Sequence, residues 1–167
     1  TSNNDIKGRS YLLMARTYHK EQNYEQATKF YKLARNCFKG NDELLFDPAL
    51  FMGLGQMALH NKELKTALNY FDKGLAKNPN CKELLLVLGS LYANNPKLKK
   101  TQAAIKYLQK VIELDNVDYE ARLELGNLYR SMSTDSTKKE ALKLSYIFQH
   151  LRYMEQQNMN LWMSHIH

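Results

Sequence analysis

A small residue recurs at nearly even intervals within the apolar segments of this chain. From Gly55 to Gly89 is 34 residues, and from Gly89 to Gly126 is 37 residues. An earlier small residue, Ala15, lies 40 residues before Gly55 in a comparable apolar setting. Three residues after each mark stand Tyr18, Ala58, Tyr92 and Tyr129. A period of this length predicts an array of repeated structural units.

An alanine forms a second mark, 12 or 15 residues after each first one. The residue four positions beyond it is large in three of the four cases, and two residues at this i, i+4 spacing share one face of a helix. The second marks and their followers are Ala27 with Tyr31, Ala67 with Phe71, Ala104 with Leu108, and Ala141 with Ser145. Each interval is therefore predicted to hold a pair of helices.

Gly53, Gly55 and Ala58 also match the Gly-x-Gly-x-x-Ala pattern of dinucleotide-binding turns. That pattern requires a buried strand before it and a helix that begins at it. Here Asp47 and Pro48 provide a helix start, because aspartate caps the first turn and proline fits the first helical position. The helix has begun before the glycines arrive, so no nucleotide cofactor is predicted.

The paired marks resemble the tetratricopeptide repeat, a helix–turn–helix unit of about 34 residues. The resemblance implies an all-α fold, an α–α superhelix (solenoid) of four repeats and the start of a fifth. The departures are Ala58 in place of a tyrosine, Arg122 in the usual tryptophan position and Ser145 in place of an aromatic, while Pro79 alone keeps the terminal proline. The expected repeats span 8–41, 48–81, 82–118 and 119–158, with a further helix from about 160.

The whole chain, 1–167, is expected to be one repeat domain that forms an internal piece of a longer protein. First helices are predicted near 8–21, 48–61, 82–94 and 118–131, and second helices near 24–39, 64–77, 101–114 and 138–157. Three extra residues of the third repeat fall in the segment NNPKLKKTQ, within the turn between its two helices.

Glycine inside a helix costs about 1 kcal/mol relative to alanine. We therefore expect Gly55, Gly89 and Gly126 to permit the close approach of a paired helix. Gly53 lies outside the repeating mark, and we interpret it as a small residue that faces the inner groove.

Composition favours a folded helical chain, with 44% hydrophobic and 25% charged residues. No apolar run approaches the roughly 20 residues that cross a bilayer, so no membrane partner is predicted. Cys37 and Cys81 form neither a C-x-x-C pattern nor a disulfide framework, and we interpret them as free thiols of an intracellular, reducing compartment.

Motifs for chemistry are missing from the sequence. His165 and His167 would point to different sides of a helix, and no H-E-x-x-H occurs, so no metal site is predicted. There is no G-x-S-x-G, no P-loop and no cysteine-nucleophile motif. The chain is accordingly predicted not to be an enzyme, with no cofactor and no small-molecule substrate.

An inner groove is the predicted binding surface, since the first helices line it in the tetratricopeptide fold and a continuous apolar groove marks a protein-binding site. The predicted occupant is an extended or helical segment of another protein. The predicted groove residues are Leu12, Leu13, Arg16, Met52, Gln56, Leu59, Leu86, Val87, Ser90, Leu123 and Asn127. Some tetratricopeptide domains grip the terminal carboxylate of chaperones with basic and amide side chains, but only Arg16 would serve here, so such a clamp is not predicted.

Basic residues outnumber acidic ones, and the net charge is +7. Lys97, Lys99 and Lys100 cluster in the third-repeat turn, and the second helices carry further lysines. This pattern is typical both of a nucleic-acid surface and of an ordinary solvated face. The expectation is weak, salt-sensitive nucleic-acid contact through these three lysines.

Three stretches go beyond the general repeat: FMGLGQMAL, ELLLVLGSLYA and SYLLMARTYHKEQNYEQATKFY. Through them the chain resembles the tetratricopeptide scaffold subunit of the RNA polymerase II-associated factor (elongation) complex. That resemblance implies a nuclear, non-catalytic scaffold that holds another subunit and supports transcription elongation and linked histone modification. The alternatives are a general tetratricopeptide adaptor of another assembly, such as a ubiquitin-ligase or trafficking scaffold, and a basic solenoid that contacts nucleic acid.

Overall fold

The computed structural model describes residues 3–39, 47–98, 100–132 and 140. These residues form seven α-helices and no strand. The helices are α1 (Asn3–Lys20), α2 (Tyr24–Cys37), α3 (Pro48–His60), α4 (Leu64–Lys77), α5 (Lys82–Asn94), α6 (Thr101–Leu114) and α7 (Tyr119–Ser131). The all-α class predicted from the repeat marks is confirmed.

Most predicted helix ends agree with the structure to within two residues. The exception is α1, which begins at Asn3 and not near residue 8. Asp5 lies in its first turn, where a carboxylate favours the positive end of the helix dipole, and the buried stripe of Asp5, Gly8 and Leu12 runs through that turn. The predicted helices over 138–157 and from 160 lie outside the described residues, apart from Glu140, which is helical.

The chain divides into two compact units, Thr1–Leu84 (unit 1) and Leu85–His167 (unit 2), with the division inside α5. In unit 1, α1 packs on α2 and α3 packs on α4, and α2 also contacts α3. The core of α1, α2 and α3 consists of Leu12, Ala15, Ala27, Tyr31, Ala34, Phe38, Leu50, Leu54 and Met57. The first and second repeat marks of this unit therefore lie at the helix contacts.

Turns of three residues join the helices of each pair in unit 1, and both contain a left-handed residue. Gln22 has φ 60° and Lys62 has φ 62°. Each lies two residues before the next helix, so both turns have the same form. Asn23 then caps α2, its side chain accepting a hydrogen bond from the backbone N–H of Gln26 at 3.3 Å.

Close helix approach explains the glycine mark of unit 1. A Cβ placed on Gly55 would lie 2.2 Å from Cε1 of Phe71, the large residue that follows the second mark. Phe71 itself is fully buried. The glycine therefore makes room for a phenylalanine ring from the paired helix, as the spacing of the marks predicts.

In unit 2 the same arrangement recurs with an aliphatic partner. A Cβ on Gly89 would lie 2.8 Å from Cδ2 of Leu108, which is fully buried. Beside it, Tyr92 stacks on Tyr107 with ring centroids 5.9 Å apart. Gly126, the next mark, is buried in α7.

The turn between α5 and α6 is longer than its counterparts in unit 1. It runs from Asn95 to Lys100, because α5 ends at Asn94 and α6 begins at Thr101. The expected insertion in the third-repeat turn is therefore confirmed.

Candidate functional site

A cavity of about 830 Å³ opens among the helices of unit 1. Its walls come from the last turns of α1, the turn after it, the inner side of α2, the first two turns of α3 and the residues that begin α5. We group the lining residues by their chemistry and call the groups the cationic, aromatic and carboxylate walls. This cavity is the candidate site for a partner segment.

The cationic wall belongs to the end of α1. Arg16, His19 and Lys20 all line the cavity. Their i, i+3 and i+4 spacing places them on one face of the helix. Arg16 and Lys20 are exposed, so both charges can meet a ligand in solvent. Burial lowers the pKa of His19 below its usual value, which favours the neutral imidazole.

The aromatic wall centres on Tyr31, whose hydroxyl lies 3.3 Å from Nδ1 of His19. Burial raises the pKa of Tyr31, while the nearby Arg16 charge opposes that rise. Tyr24 also lines the cavity and stacks on His60, with ring centroids 4.1 Å apart. The two tyrosines give this wall apolar ring faces and two phenolic hydroxyls.

Gly53 has a second role that its sequence position did not indicate. It lines the cavity, as expected of a small residue that faces the groove. It also contacts the ring of Tyr31, because a Cβ there would lie 2.2 Å from Cε1 and Cζ of that side chain. Gly53 therefore makes room for the buried ring of Tyr31 beside the cavity, and its interpretation as a groove residue alone is incomplete.

Carboxylates stand on the remaining wall, at the start of α3 and of α5. Asp47 caps α3, accepting a hydrogen bond from the backbone N–H of Ala49 at 2.7 Å. Glu83 accepts a hydrogen bond from Sγ of Cys81 at 3.3 Å. Burial is the main cause that raises the pKa of the Cys81 thiol, and the Glu83 carboxylate adds to it. The thiol is thereby kept protonated and unreactive.

Of the groove residues predicted in unit 1, the structure brings three to the cavity: Arg16, Met52 and Gln56. Leu12 is a correction, because it is only 8% exposed and lies in the core. The reason is its place on the buried stripe of α1, three residues before Ala15. Leu13 is 64% exposed but lies outside the cavity lining. Leu59 is half-buried and also lies outside it.

The groove residues predicted in unit 2 differ in their exposure. Leu86, Val87 and Ser90 are half-buried on α5. Leu123 is 47% exposed on α7, and Asn127 is exposed on the same helix. Their use as a binding surface stays a prediction.

Several cavity residues escaped the sequence analysis. His19 and Lys20 were not singled out, although their spacing from Arg16 is a signal that could have found them. Asp47 and Pro48 were recognised only as a helix start, because the sequence does not show that this start faces α1 and α2.

The predicted nucleic-acid lysines are partly described. Lys97 and Lys100 are exposed, and Nζ of Lys100 lies 5.3 Å from the centroid of the Tyr92 ring. Lys99 lies outside the described residues. On the second helices, Lys110 forms an ion pair with Glu113 at 3.5 Å.

Metal binding and membrane insertion are two other kinds of function. Across residues 3–39, 47–98, 100–132 and 140, no group of three or more His, Cys, Asp or Glu side chains could hold a metal ion. In the same part of the chain, no helix combines the length and apolar character needed to cross a membrane. Cys37 and Cys81 are free thiols, which by itself assigns no compartment.

The chain is similar to known proteins in both fold and sequence. The family model described as "Tetratricopeptide repeat" matches residues 8–34 and 83–118. A solved structure described as "First TPR of Spaghetti (RPAP3) bound to HSP90 peptide SRMEEVD" superposes with a TM-score of 0.65 at 19% identity, covering 78% of this chain and 96% of that one. At this identity the likeness shows the fold alone.

Curated relatives carry the finer resemblance. "Protein CTR9 homolog" of Arabidopsis thaliana is 33% identical over 134 residues, covering 80% of this chain and 12% of the relative. "RNA polymerase-associated protein CTR9" of Caenorhabditis elegans is 33% identical over 129 residues, covering 74% of this chain and 11% of the relative. The chain thus spans about an eighth or less of these relatives. It is an all-α array of tetratricopeptide repeats, and its sequence resembles a segment of the RNA polymerase-associated CTR9 proteins.

Proposed function

We propose that this chain is part of a non-catalytic scaffold, a tetratricopeptide subunit of the polymerase-associated factor complex that acts in RNA polymerase II transcription elongation and linked histone modification. The coarser statement, that the chain is a repeat scaffold for protein interaction, follows from its fold and its family match. The finer one rests on the similarity to the RNA polymerase-associated protein CTR9 of C. elegans. A subunit of this kind works in the nucleus.

The observation that carries the binding role is the cavity of unit 1. A volume of about 830 Å³ suits a few side chains of a partner segment better than a whole protein domain. Its lining offers apolar contact from the half-buried Met52, and polar groups that fix orientation. The structure with the HSP90 peptide supports the general idea that this fold holds a peptide segment.

Affinity purification of the full-length protein tests the proposal. We expect RNA polymerase II and elongation factors to be recovered with the wild-type protein. Recovery of a ubiquitin ligase, a trafficking complex or a chaperone instead would favour a general adaptor and contradict the proposed assignment.

A cavity variant tests where the partner binds. Met52→Asp places a carboxylate in the cavity wall, where an apolar side chain of the partner would meet it without compensation. We expect loss of at least one co-purifying subunit, with helical circular dichroism near wild type. Met14→Asp is the matched control, since Met14 is 40% exposed on α1 and lies outside the cavity lining. Equal recovery with both variants would place the partner elsewhere.

A second function, contact with nucleic acid, is favoured by the exposed Lys97 and Lys100 of the third-repeat turn. Replacing both with Glu should leave the co-purifying proteins unchanged, because exposed rim charges mainly alter association rate and salt dependence. RNA and DNA filter binding at about 150 mM salt measures the alternative. If tight binding exists there and the double change abolishes it, the nucleic-acid function gains over the scaffold one.

A further inference from the structure

Among the described residues, large hydrophobic side chains are exposed in two places, on α1 and at the corner where α6 leads into α7. The corner holds the larger group, which we call the corner patch: Leu114 at 41%, Val117 at 56%, Tyr119 at 60% and Leu123 at 47% exposed. Tyr119 and Leu123 share one face of α7 because of their i, i+4 spacing. A group of exposed apolar side chains within so short a segment is typical of a protein-binding surface.

The corner between α4 and α5 has the same backbone form as the corner between α6 and α7. In both, four residues separate the two helices, 78–81 in the first and 115–118 in the second. In the first corner the backbone N–H of Cys81 donates to the carbonyl of Asn78 at 3.1 Å. In the second corner Asp118 donates in the same way to Asp115 at 3.2 Å. The two corners can therefore be compared position by position.

The earlier corner is polar where the later one is apolar. Lys77, Asn80 and Lys82 occupy the places of the first three members of the corner patch. The same turn thus forms with polar side chains at these places, so the repeat fold does not require the apolar ones. Apolar surface in contact with water is unfavourable, and burial against a partner would remove that cost.

The charge around the corner patch is opposite in sign to that of the whole chain, which is +7. Lys110 forms an ion pair with Glu113 at 3.5 Å. Nε of Arg122 donates to the carbonyl of Asn116 at 3.1 Å, so this guanidinium is engaged with the turn. Segment 113–120 itself contains no basic side chain and four carboxylates: Glu113, Asp115, Asp118 and Glu120. The surface therefore attracts positively charged side chains and repels the phosphates of nucleic acid.

Hydrogen bonds within the corner hold the patch in one shape. The side chain of Asp115 accepts the backbone N–H of Val117 at 3.2 Å, and that of Asp118 accepts the N–H of Ala121 at 2.9 Å. A binding surface that is already ordered loses less conformational freedom when a partner binds. The corner patch is accordingly a preorganised surface that is apolar at its centre and acidic around it.

We propose that the corner between α6 and α7 binds a short segment of another protein in which lysine or arginine side chains flank an apolar one. The apolar side chain packs on the corner patch, and the basic side chains pair with the carboxylates of segment 113–120, of which Glu120 is exposed. None of these residues lines the cavity of unit 1, so the corner does not depend on the binding site proposed there. It gives the scaffold a second binding surface.

Short random peptides displayed on phage and selected against the purified chain supply the probes. One group of selected peptides should carry Lys or Arg beside an apolar residue. Synthetic forms of these peptides should lose about tenfold or more in affinity for Val117→Asn with Tyr119→Lys. This double change copies Asn80 and Lys82 of the earlier corner, so the turn should still form. If it weakens no selected peptide while the helical circular dichroism stays as in wild type, the inference is overturned.

The matched control is Ile6→Asn with Leu13→Lys on α1. These two side chains are 58% and 64% exposed, so the control removes as much exposed apolar surface and adds the same charge elsewhere. It should bind the peptides as wild type does. Equal weakening by both double variants would show that the peptides bind exposed apolar surface without specificity, which would contradict the inference.

A charge exchange tests the acidic surroundings without altering the apolar patch. Glu120→Lys should weaken the basic peptides about threefold, and more at low salt. The matched control is Glu25→Lys, because both glutamates are exposed second residues of a helix that begins with tyrosine. A peptide whose basic residues are replaced by Glu should bind Glu120→Lys more tightly than it binds wild type. If it does not, or if the two single changes have equal effects, the charge complementarity is refuted.

Two further measurements identify the occupant and the place. Sedimentation velocity should show that the wild-type chain is a monomer. A dimer that Val117→Asn with Tyr119→Lys dissociates would overturn the inference, since the occupant would then be a second copy of the chain. Met52→Asp, which tests the cavity of unit 1, should leave the affinity of the basic peptides unchanged. If Met52→Asp weakens them and the corner variant does not, they bind in the cavity, and the inference fails while the proposed cavity site stands.

Discussion

In unit 1 the glycine mark faces an aromatic ring, whereas in unit 2 it faces a leucine. A Cβ on Gly55 would lie 2.2 Å from Cε1 and 2.6 Å from Cζ of Phe71. On Gly89 it would lie 2.8 Å from Cδ2 and 2.9 Å from Cγ of Leu108. Both side chains are fully buried, but the planar ring is rigid, whereas the leucine side chain can change rotamer. The same repeat position therefore tolerates change differently according to what packs on it.

The turns between paired helices also differ between the two units. Unit 1 reverses its chain in three residues at each pair, with Gln22 and Lys62 at φ 60° and 62°. In unit 2 the turn from Asn95 to Lys100 is longer, and none of its described residues has positive φ. Each short turn of unit 1 thus holds one residue in a costly backbone region, and the described part of the longer turn holds none. Unit 1 is thus the more tightly constrained of the two in both packing and turns.

The largest expected effect is that of Gly55→Ala. Overpacking a tight contact typically destabilises the fold by about 1–3 kcal/mol. Replacing a helical glycine by alanine stabilises the helix by about 1 kcal/mol. With a buried ring at 2.2 Å the steric cost prevails, so we expect the free energy of unfolding to fall by about 2 kcal/mol. Gly89→Ala should be near neutral, since the two contributions nearly cancel there. Urea unfolding of the three chains measures both.

Replacing the ring shows whether it is the cause. In a Phe71→Leu background, unit 1 has the glycine–leucine pair of unit 2, and Gly55→Ala should become much less costly. A double-mutant cycle reports this coupling. Equal costs of Gly55→Ala in both backgrounds, or equal costs at Gly55 and Gly89, would refute the comparison.

Much of this packing could be predicted from the sequence, because the marks record it directly. A small residue is needed wherever a paired helix approaches, so Gly55 and Gly89 were assigned correctly from spacing alone. The start of α1 was missed, since the segment before Gly8 carries no repeat mark, and the burial of Asp5 there is a tertiary effect. Gly53 was only partly understood, because its contact with Tyr31 joins two helices that no sequence period relates.

The candidate site was less predictable than the fold. Arg16, Met52 and Gln56 were expected in the groove from the position of first helices in the repeat. Tyr24 and Cys81 come from a second helix and an interhelical turn, which the groove model did not consider. Leu12 was placed on the wrong side, since adjacent leucines at 12 and 13 leave it ambiguous which of them lies on the buried stripe.

A smaller effect is the pH dependence of stability in unit 1, where His19 lines the cavity. Burial holds the pKa of His19 below its usual 6.5. The unfolded chain therefore binds more protons than the folded chain near and below pH 6.5. The contribution of neutral His19 to stability is thus present above pH 6.5 and is lost as pH falls through that range. We expect the melting temperature to drop less between pH 7.5 and 5.5 in His19→Gln than in wild type.

The comparison isolates one imidazole, because the other four histidines are shared by both chains. An identical pH dependence in the two chains would show that His19 titrates alike in the folded and unfolded states. Unit 1 would then be constrained by steric packing alone, without a contribution from the burial of His19.

The smallest expected effect lies in the turn at Lys62. A residue with a Cβ loses free energy in the left-handed region, and asparagine tolerates that region better than other side chains do. Lys62→Asn should therefore stabilise the chain by about 0.5 kcal/mol, whereas Lys62→Gln removes the same charge without the backbone preference and should have no effect. Lys97→Asn, in the longer turn of unit 2, should also have none, because positive φ does not occur among the described residues of that turn. Thermal unfolding of the three variants measures these effects. If asparagine stabilises the chain at both Lys62 and Lys97, or at neither, the short turns of unit 1 hold no strain that the longer turn lacks.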